Sequence, residues 1–417
     1  MNLIYIVLIL SFISCEYNLS QKNNVNTQEF LEFIKGKDSL VDDVLNNHEK
    51  YRLQIIYGQV THHSEDSVSI ANSSLLKQGY YYPASTIKLP CALLTLEKLN
   101  ELNIDENHYF RISDEFLCGN ITHVNNSHKS RDSFHELIKE MVVVSNNVSF
   151  NSVYEFLTPG YIKKKLNAKS MNNIHIYRKF AGCSMSENLK CNSVSIYDQN
   201  DHFLYKQEAS VLNLSEMAEN YNYNKNNLIG TYSYRNNKTI KKPYDFNYNN
   251  SASLEDLHLC LINLIYPSTV GALNRWNLLK SDRDFLIRLL GMYPRELKND
   301  KYSDSEKYPD NFLKYIVFGD TKSSVKRSNI RTFSKIGLSY GFTTEVAYVV
   351  DLELNIEYFL SISMYTNQNK TVNDGIYEYD EISKPFLGKL GTLLLEYESN
   401  RTSSNTPDFS SLKLLYD

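Results

Sequence analysis

The stretch that decides the fold is Pro83-Ala84-Ser85-Thr86-Ile87-Lys88-Leu89-Pro90. A helix starting near Ser85 puts Ser85 and Lys88 three residues apart on one face. Ser85 then sits at the helix N-terminus, where free backbone N–H groups can receive a developing oxyanion. A serine hydroxyl is a poor nucleophile at neutral pH and needs an adjacent base. A lysine serves only when its amine is neutral, which an apolar site or a neighbouring cation brings about. Leu89, Ala92 and Leu93 are the expected apolar wall. The spacing alone is weak evidence, because Ser-x-x-Lys recurs at Ser74/Lys77, Ser323/Lys326 and Ser410/Lys413.

Sixty residues after Ser85, the apolar run Met141-Val142-Val143-Val144 delivers Ser145-Asn146-Asn147 into a loop before another helical segment. A second hydroxyl there can relay a proton to a leaving nitrogen, and the Asn147 amide can hold a substrate carbonyl. Much later, Phe333-Ser334-Lys335-Ile336-Gly337-Leu338-Ser339-Tyr340-Gly341 leads into the strands that close the chain. A lysine on an edge strand adds positive potential beside the relay serine, and a glycine lets substrate approach the backbone.

Outward from these motifs, strand patterns gather at both chain ends and helix patterns in the middle. Tyr51 to Val60 and Ser67 to Leu76 read as an antiparallel pair; Thr343 to Asp351 and Ile356 to Tyr365 read as a second, turning at Leu352 to Asn355. Helical stripes run over Phe30 to Leu45, Ile87 to Leu102, His135 to Val144, Val148 to Leu157, Leu254 to Leu264, Arg283 to Leu290 and Leu387 to Tyr397. This predicts an α/β (α+β) protein: one antiparallel sheet built from both ends of the chain, flanked by helices, with an inserted all-helical domain. The sheet domain takes residues 29–84 and 320–400, the helical domain 85–319, and 401–417 form a tail. Tyr221 to Asn250 lacks periodicity and is expected to be an extended surface insertion.

Leu3 to Ile13 is a nearly unbroken apolar run, too short to span a bilayer and suited to a signal-peptide core. It ends Phe12-Ile13-Ser14-Cys15. This resembles a bacterial lipobox, which implies a signal peptide over 1–14, lipid on Cys15 and a tether over 15–28. No Lys or Arg precedes the run, and Phe12 stands where leucine is usual. The expected location is the cell envelope, held by lipid. A net charge of −4 points to no nucleic-acid partner. No Cys/His cluster suggests a metal, no cofactor is expected, and a monomer is. With Cys15 lipidated, the other five cysteines cannot all pair; a Cys183–Cys191 bridge is one open arrangement.

Ser-x-x-Lys, Ser-x-Asn and Lys-x-Gly, in this order, resemble the three motifs of class A β-lactamases and penicillin-binding proteins. The sixty-residue spacing, the preceding strand pair, and Tyr340-Gly341 followed by Thr344-Glu345-Val346-Ala347-Tyr348 are similar too. The likeness covers most of Tyr51 to Glu398, with extra material over about 194–331. It implies that Ser85 is acylated, Lys88 deprotonates it, Ser145 relays the proton, Asn147 binds the substrate amide and Lys335 polarises Ser145. It further implies an oxyanion hole from the N–H groups of Ser85 and Leu338, with Gly337 and Ser339 beside the substrate. Ile336 replaces the family's Thr or Ser, no arginine follows from Lys335 through Tyr365, and Asn146 replaces an aspartate. Glu187, followed by Asn192, is the candidate to hold the deacylating water. The leading expectation is a β-lactamase. A cell-wall peptidase, transpeptidase or other amidase/esterase with the same acyl-serine chemistry is the alternative, and a non-catalytic binding lipoprotein the third.

Overall fold

The computed structural model describes residues 27–64, 67–76, 79–116, 118, 132–213, 224–321, 327–401, 405–413, 415 and 416. The signal segment, Cys15 and most of the tether lie outside these residues. Two helices open the described chain, α1 (Thr27–Ile34) and α2 (Ser39–Asn46). The expected single stripe over Phe30 to Leu45 breaks because Gly36 takes φ +77° and Asp38 caps the second helix, accepting from Leu40 N at 2.9 Å.

The sheet has five antiparallel strands: β1 (Gln54–Ser64), β2 (Ser67–Leu76), β3 (Ile330–Ser339), β4 (Phe342–Asp351) and β5 (Ile356–Tyr365), in the order β3-β4-β5-β1-β2. The first and last parts of the chain meet where β1 pairs with β5, Ile55 opposite Ile362 and Tyr57 opposite Leu360. Both faces are covered, which is why β4 is buried along its whole length, its polar residues Thr343, Thr344, Glu345 and Asp351 included. On one face α1, α2 and α9 (Lys384–Ser399) pack Phe30, Val41, Phe386 and Leu390 against Ile55, Tyr57, Val349 and Leu360. On the other lies the helical body. There α3 (Lys88–Leu102), α4 (Phe134–Val143), α5 (Asn147–Leu157), α6 (Pro159–Ala168), α7 (Leu254–Ile265) and α8 (Lys280–Gly291) share a core with Ile56, Val346, Tyr348 and Phe359.

Tyr340 and Gly341 have φ of +56° and +86°, a two-residue turn of the type that matches strand twist. Ser339 therefore faces Phe342 as a hydrogen-bonded pair, and Leu338 opposite Thr343 falls between such pairs. Its N–H points off the free edge of β3, toward the segment that carries Ser85.

The expected surface insertion over Tyr221 to Asn250 is corrected for its described part. Tyr232–Arg235 pairs with Lys238–Ile240 and, in parallel, with Thr371–Val372. Phe246 and Asn250 are each 1% exposed. Strands of two to four residues leave no periodicity to read, and one of the partners, Thr371–Val372, lies far along the chain. Among the described residues no helix is long and apolar enough to cross a membrane.

Candidate active site

Ala84–Ile87 forms one tight helical turn that runs straight into α3, with Ser85 inside it. Pro90 falls in the first turn of α3, where its missing N–H breaks no helical bond. β3 lies directly against this turn: a Cβ on Gly337 would come 2.1 Å from the Pro83 carbonyl and 2.9 Å from Ser85 N. Only glycine permits that approach, so the edge of β3 and the Ser85 turn form one wall.

Ser145 lies just beyond the end of α4, and Asn146 caps α5 by accepting from Val148 N at 2.8 Å. Asn146 also donates to Glu140 Oε2 at 2.8 Å, a structural duty for the residue that replaces aspartate. Ser145 takes φ +56° and Ala84 +46°. Two non-glycine residues in the left-handed region flank the site, the kind of local strain that clusters where side chains are aimed for chemistry.

The aim is visible in the hydrogen bonds. Lys88 Nζ donates to the Ser145 carbonyl at 2.5 Å, to Ser145 Oγ at 3.2 Å and to Asn147 Oδ1 at 2.7 Å. Lys335 Nζ reaches the same Ser145 Oγ at 2.9 Å and the Ile336 carbonyl at 3.2 Å. Both lysines are buried, at 0% and 1% exposure. Burial, then the neighbouring Lys335 charge, holds the Lys88 amine well below its ordinary value. Burial, reinforced by Lys314, brings Lys335 down to about 7. Two amines on one hydroxyl, both out of water, favour a state with one of them neutral. The rings nearest Lys88 Nζ are Phe180 at 5.0 Å and Phe150 at 6.0 Å. Leu89, Ala92 and Leu93, expected to wall the amine, are core residues of α3.

Ser85, Asn147, Leu338 and Ser339 line one cavity of about 440 Å³, together with Tyr82, Tyr244, Asn249, Asn250, Tyr340 and the loop Arg178–Gly182. A larger cleft of about 700 Å³ between Tyr81 and Asp256 contains no such set of hydroxyls and amines. Chemistry rather than size selects the first.

Glu187 does not join them. Its Oε2 accepts from the Ser184 backbone at 2.6 Å while Ser184 Oγ accepts from Glu187 N at 3.4 Å, a capping box on a one-turn helix. The Ser184 hydrogen bonds hold its pKa below the ordinary carboxylate value. Asn192, its expected companion, is fully buried and binds Glu155 Oε2 through its N–H at 2.6 Å and Phe116 N through its Oδ1 at 2.7 Å. The loop residue facing Lys88 is instead Phe180, fixed by Asn151: Phe180 N donates to Asn151 Oδ1 at 2.8 Å. Lys179 beside it is paired with Glu155. Among the described residues no Asp or Glu lines the cavity. Sequence reading assigned no role to Arg178 and named Glu345 only within a shared stretch; the latter, buried, accepts from Ser334 Oγ at 2.7 Å and from Tyr315 N and Ile316 N at 3.0 Å.

The disulfide joins Cys118 to Cys183, with Cα atoms 5.4 Å apart. Cys191, the partner considered earlier for Cys183, is a free buried thiol. The bridge ties down the end of the loop that carries Arg178 to Gly182. No group of metal-binding side chains occurs among the described residues.

The sequence profile of the beta-lactamase enzyme family matches residues 39–221. Solved structures similar to this chain include a representative class A beta-lactamase from Bacteroides cellulosilyticus DSM 14838, with 10% identity, TM-score 0.49 and coverage of 90% of this chain and 99% of that one. A beta-lactamase from Chitinophaga pinensis DSM 2588 has 10% identity, TM-score 0.48 and coverage of 89% and 99%. The TLA-3 extended-spectrum beta-lactamase has 14% identity, TM-score 0.47 and coverage of 87% and 99%. No curated protein matches the sequence.

Proposed function

We infer that this chain, a member of the β-lactamase/transpeptidase-like superfamily of serine hydrolases through the segment that carries Ser85, Lys88, Ser145 and Asn147, opens β-lactam amides by acylating Ser85. The observation that carries the reading is the shared grip of Lys88 and Lys335 on Ser145 Oγ beside a serine-bearing turn docked on a free strand edge. Neutral Lys88 accepts the Ser85 proton as Oγ attacks the carbonyl carbon. The developing oxyanion is received by the N–H groups of Ser85 and Leu338. Ser145 passes a proton from the lysine pair to the departing nitrogen, the C–N bond breaks, and the acyl group remains on Ser85.

Water must then attack the ester, and among the described residues no carboxylate lines the cavity to activate it. That supports a long-lived acyl-enzyme, and hence the second reading: a cell-wall peptidase or acyl-transfer enzyme that β-lactams acylate. Export and a Cys15 lipid anchor are part of the proposal; a Cys118–Cys183 bridge fits an oxidising compartment.

The test is incubation of the soluble domain with a chromogenic cephalosporin and a labelled penicillin, with mass spectrometry of the peptide containing Ser85. Expected is an adduct on Ser85 with slow release, abolished by Ser85→Ala. Rapid turnover without accumulation would favour the β-lactamase over the acyl-transfer enzyme. No Ser85 adduct from any acyl donor would end the hydrolase reading.

A further inference from the structure

The cavity beside Ser85 contains a cation that acylation does not use. Arg178 comes from the 178–182 loop, and two asparagines of the Tyr221–Asn250 insertion hold it in place. Asn250 Oδ1 accepts from Arg178 N at 2.8 Å while Asn250 Nδ2 donates to the Arg178 carbonyl at 2.9 Å. The guanidinium donates to Asn249 Oδ1 at 2.9 Å and to the Cys183 carbonyl at 3.2 Å. Both acceptors are neutral. Among the described residues no carboxylate pairs with Arg178, and none lines the cavity. A guanidinium has five N–H donors in a planar fork, so donors remain after these two bonds.

An aromatic wall adjoins it. Tyr340 stacks its ring edge on Tyr82 at 5.5 Å and tilts on Tyr244 at 5.2 Å, with Phe246 behind at 5.5 Å from Tyr340. A fixed, uncompensated fork beside an aromatic wall, in the cavity that exposes the nucleophile, is a site for a carboxylate carried on a partly apolar acyl donor.

We propose that Arg178, positioned by Asn249 and Asn250, anchors the carboxylate of the acyl donor that reacts with Ser85. This rests on the acyl-serine reading above. It also answers the absence of an arginine from Lys335 through Tyr365: the positive fork enters from the loop side of the cavity rather than from the strands. Two kinds of donor carry such a group, a β-lactam carboxylate and the C-terminal carboxylate of a peptide.

The test measures second-order acylation of Ser85 in wild type, Arg178→Gln and Arg178→Lys. The four donors are benzylpenicillin, its methyl ester, a depsipeptide with a free terminal carboxylate, and that depsipeptide's methyl ester. In R178Q, acylation by the acid of at least one pair should fall about 10- to 100-fold further than acylation by its ester. R178K should lie between wild type and R178Q, because it keeps the charge and loses the fork. The pair that shows the difference identifies the source of the carboxylate. Equal losses for acid and ester in both pairs would overturn the proposal. If R178Q does not fold, as judged by its melting curve, the same acid-to-ester comparison in R178K decides. Wild type that takes no adduct from any of the four donors would instead overturn the acyl-serine reading, and the anchor with it.

Discussion

Replacing Lys335 by methionine should make the protein more stable at pH 7 while removing its acylation activity. The Lys335 amine is 1% exposed, and its pKa falls from 10.5 to about 7, first through burial and then through Lys314. One pKa unit corresponds to about 1.36 kcal/mol, so keeping this amine folded costs roughly 4 kcal/mol at pH 7. Methionine removes that cost but gives up the hydrogen bonds to Ser145 Oγ and the Ile336 carbonyl, about 1 kcal/mol each. The net expectation is a variant about 2 kcal/mol more stable at pH 7.

The sign is set by proton binding. Between pH 7 and 10.5 the unfolded lysine keeps its proton while the folded one has released it, so wild-type stability rises with pH through this window. The penalty is present in full below pH 7 and is gone above 10.5. The methionine variant lacks this slope. Burial is the larger cause of the lowered Lys88 value and is kept in both proteins, while the smaller part due to the Lys335 charge is lost with the lysine. The stability difference should therefore shrink by about 3 kcal/mol between pH 7 and 9.5, ending with wild type level or slightly ahead. Urea unfolding followed by circular dichroism at several pH values measures it. A stability difference that stays flat across this range would refute the claim that the amine is desolvated in the folded protein.

Glu187→Gln should leave the lifetime of the acyl-enzyme unchanged, read by mass spectrometry of the adduct over time; a longer lifetime would return Glu187 to the mechanism. Phe180→Glu places a carboxylate where a ring now stands 5.0 Å from Lys88 Nζ, and should shorten that lifetime measurably. Gly337→Ala forces a methyl against the Pro83 carbonyl, and should destabilise by about 1–3 kcal/mol and slow acylation, since the oxyanion wall must separate. Cys118→Ser releases the end of the 178–182 loop; peptide amides from 178 to 183 should exchange hydrogen faster than in wild type while those of β4 keep their protection.

The proposed acylation site was legible because the residues that make it up are grouped locally. Ser85 and Lys88 share a helical face, Ser145 and Asn147 bracket a helix start, and Lys335 and Gly337 alternate along one strand. Three short patterns in fixed order are enough to indicate a common site, and their residues do meet. The sheet was legible for the same reason: period-two runs at both ends had only each other to pair with. Glu187 misled because Ser184-Met185-Ser186-Glu187 is equally a capping box, and only the tertiary placement of the loop tells a cap from a catalytic group. Phe180 and Arg178 could not be found from sequence. Their roles depend on Asn151, Asn249 and Asn250, single amides far away whose spacing has no period. The cysteines were ambiguous by arithmetic, and the bridge spans 65 residues rather than the eight between Cys183 and Cys191.

A sheet woven from both ends of the chain has a consequence for when this protein can be harmful or useful. Ser85 leaves the ribosome about 250 residues before Gly337, an interval of tens of seconds at ordinary synthesis rates. Until the late strand arrives, the turn bearing Ser85 lacks the strand edge it leans on in the folded protein, and the proposed oxyanion pocket is half built. On the proposed chemistry the nascent polypeptide is thereby kept silent, and a premature stop before residue 330 should yield a fragment that carries Ser85 and does not acylate.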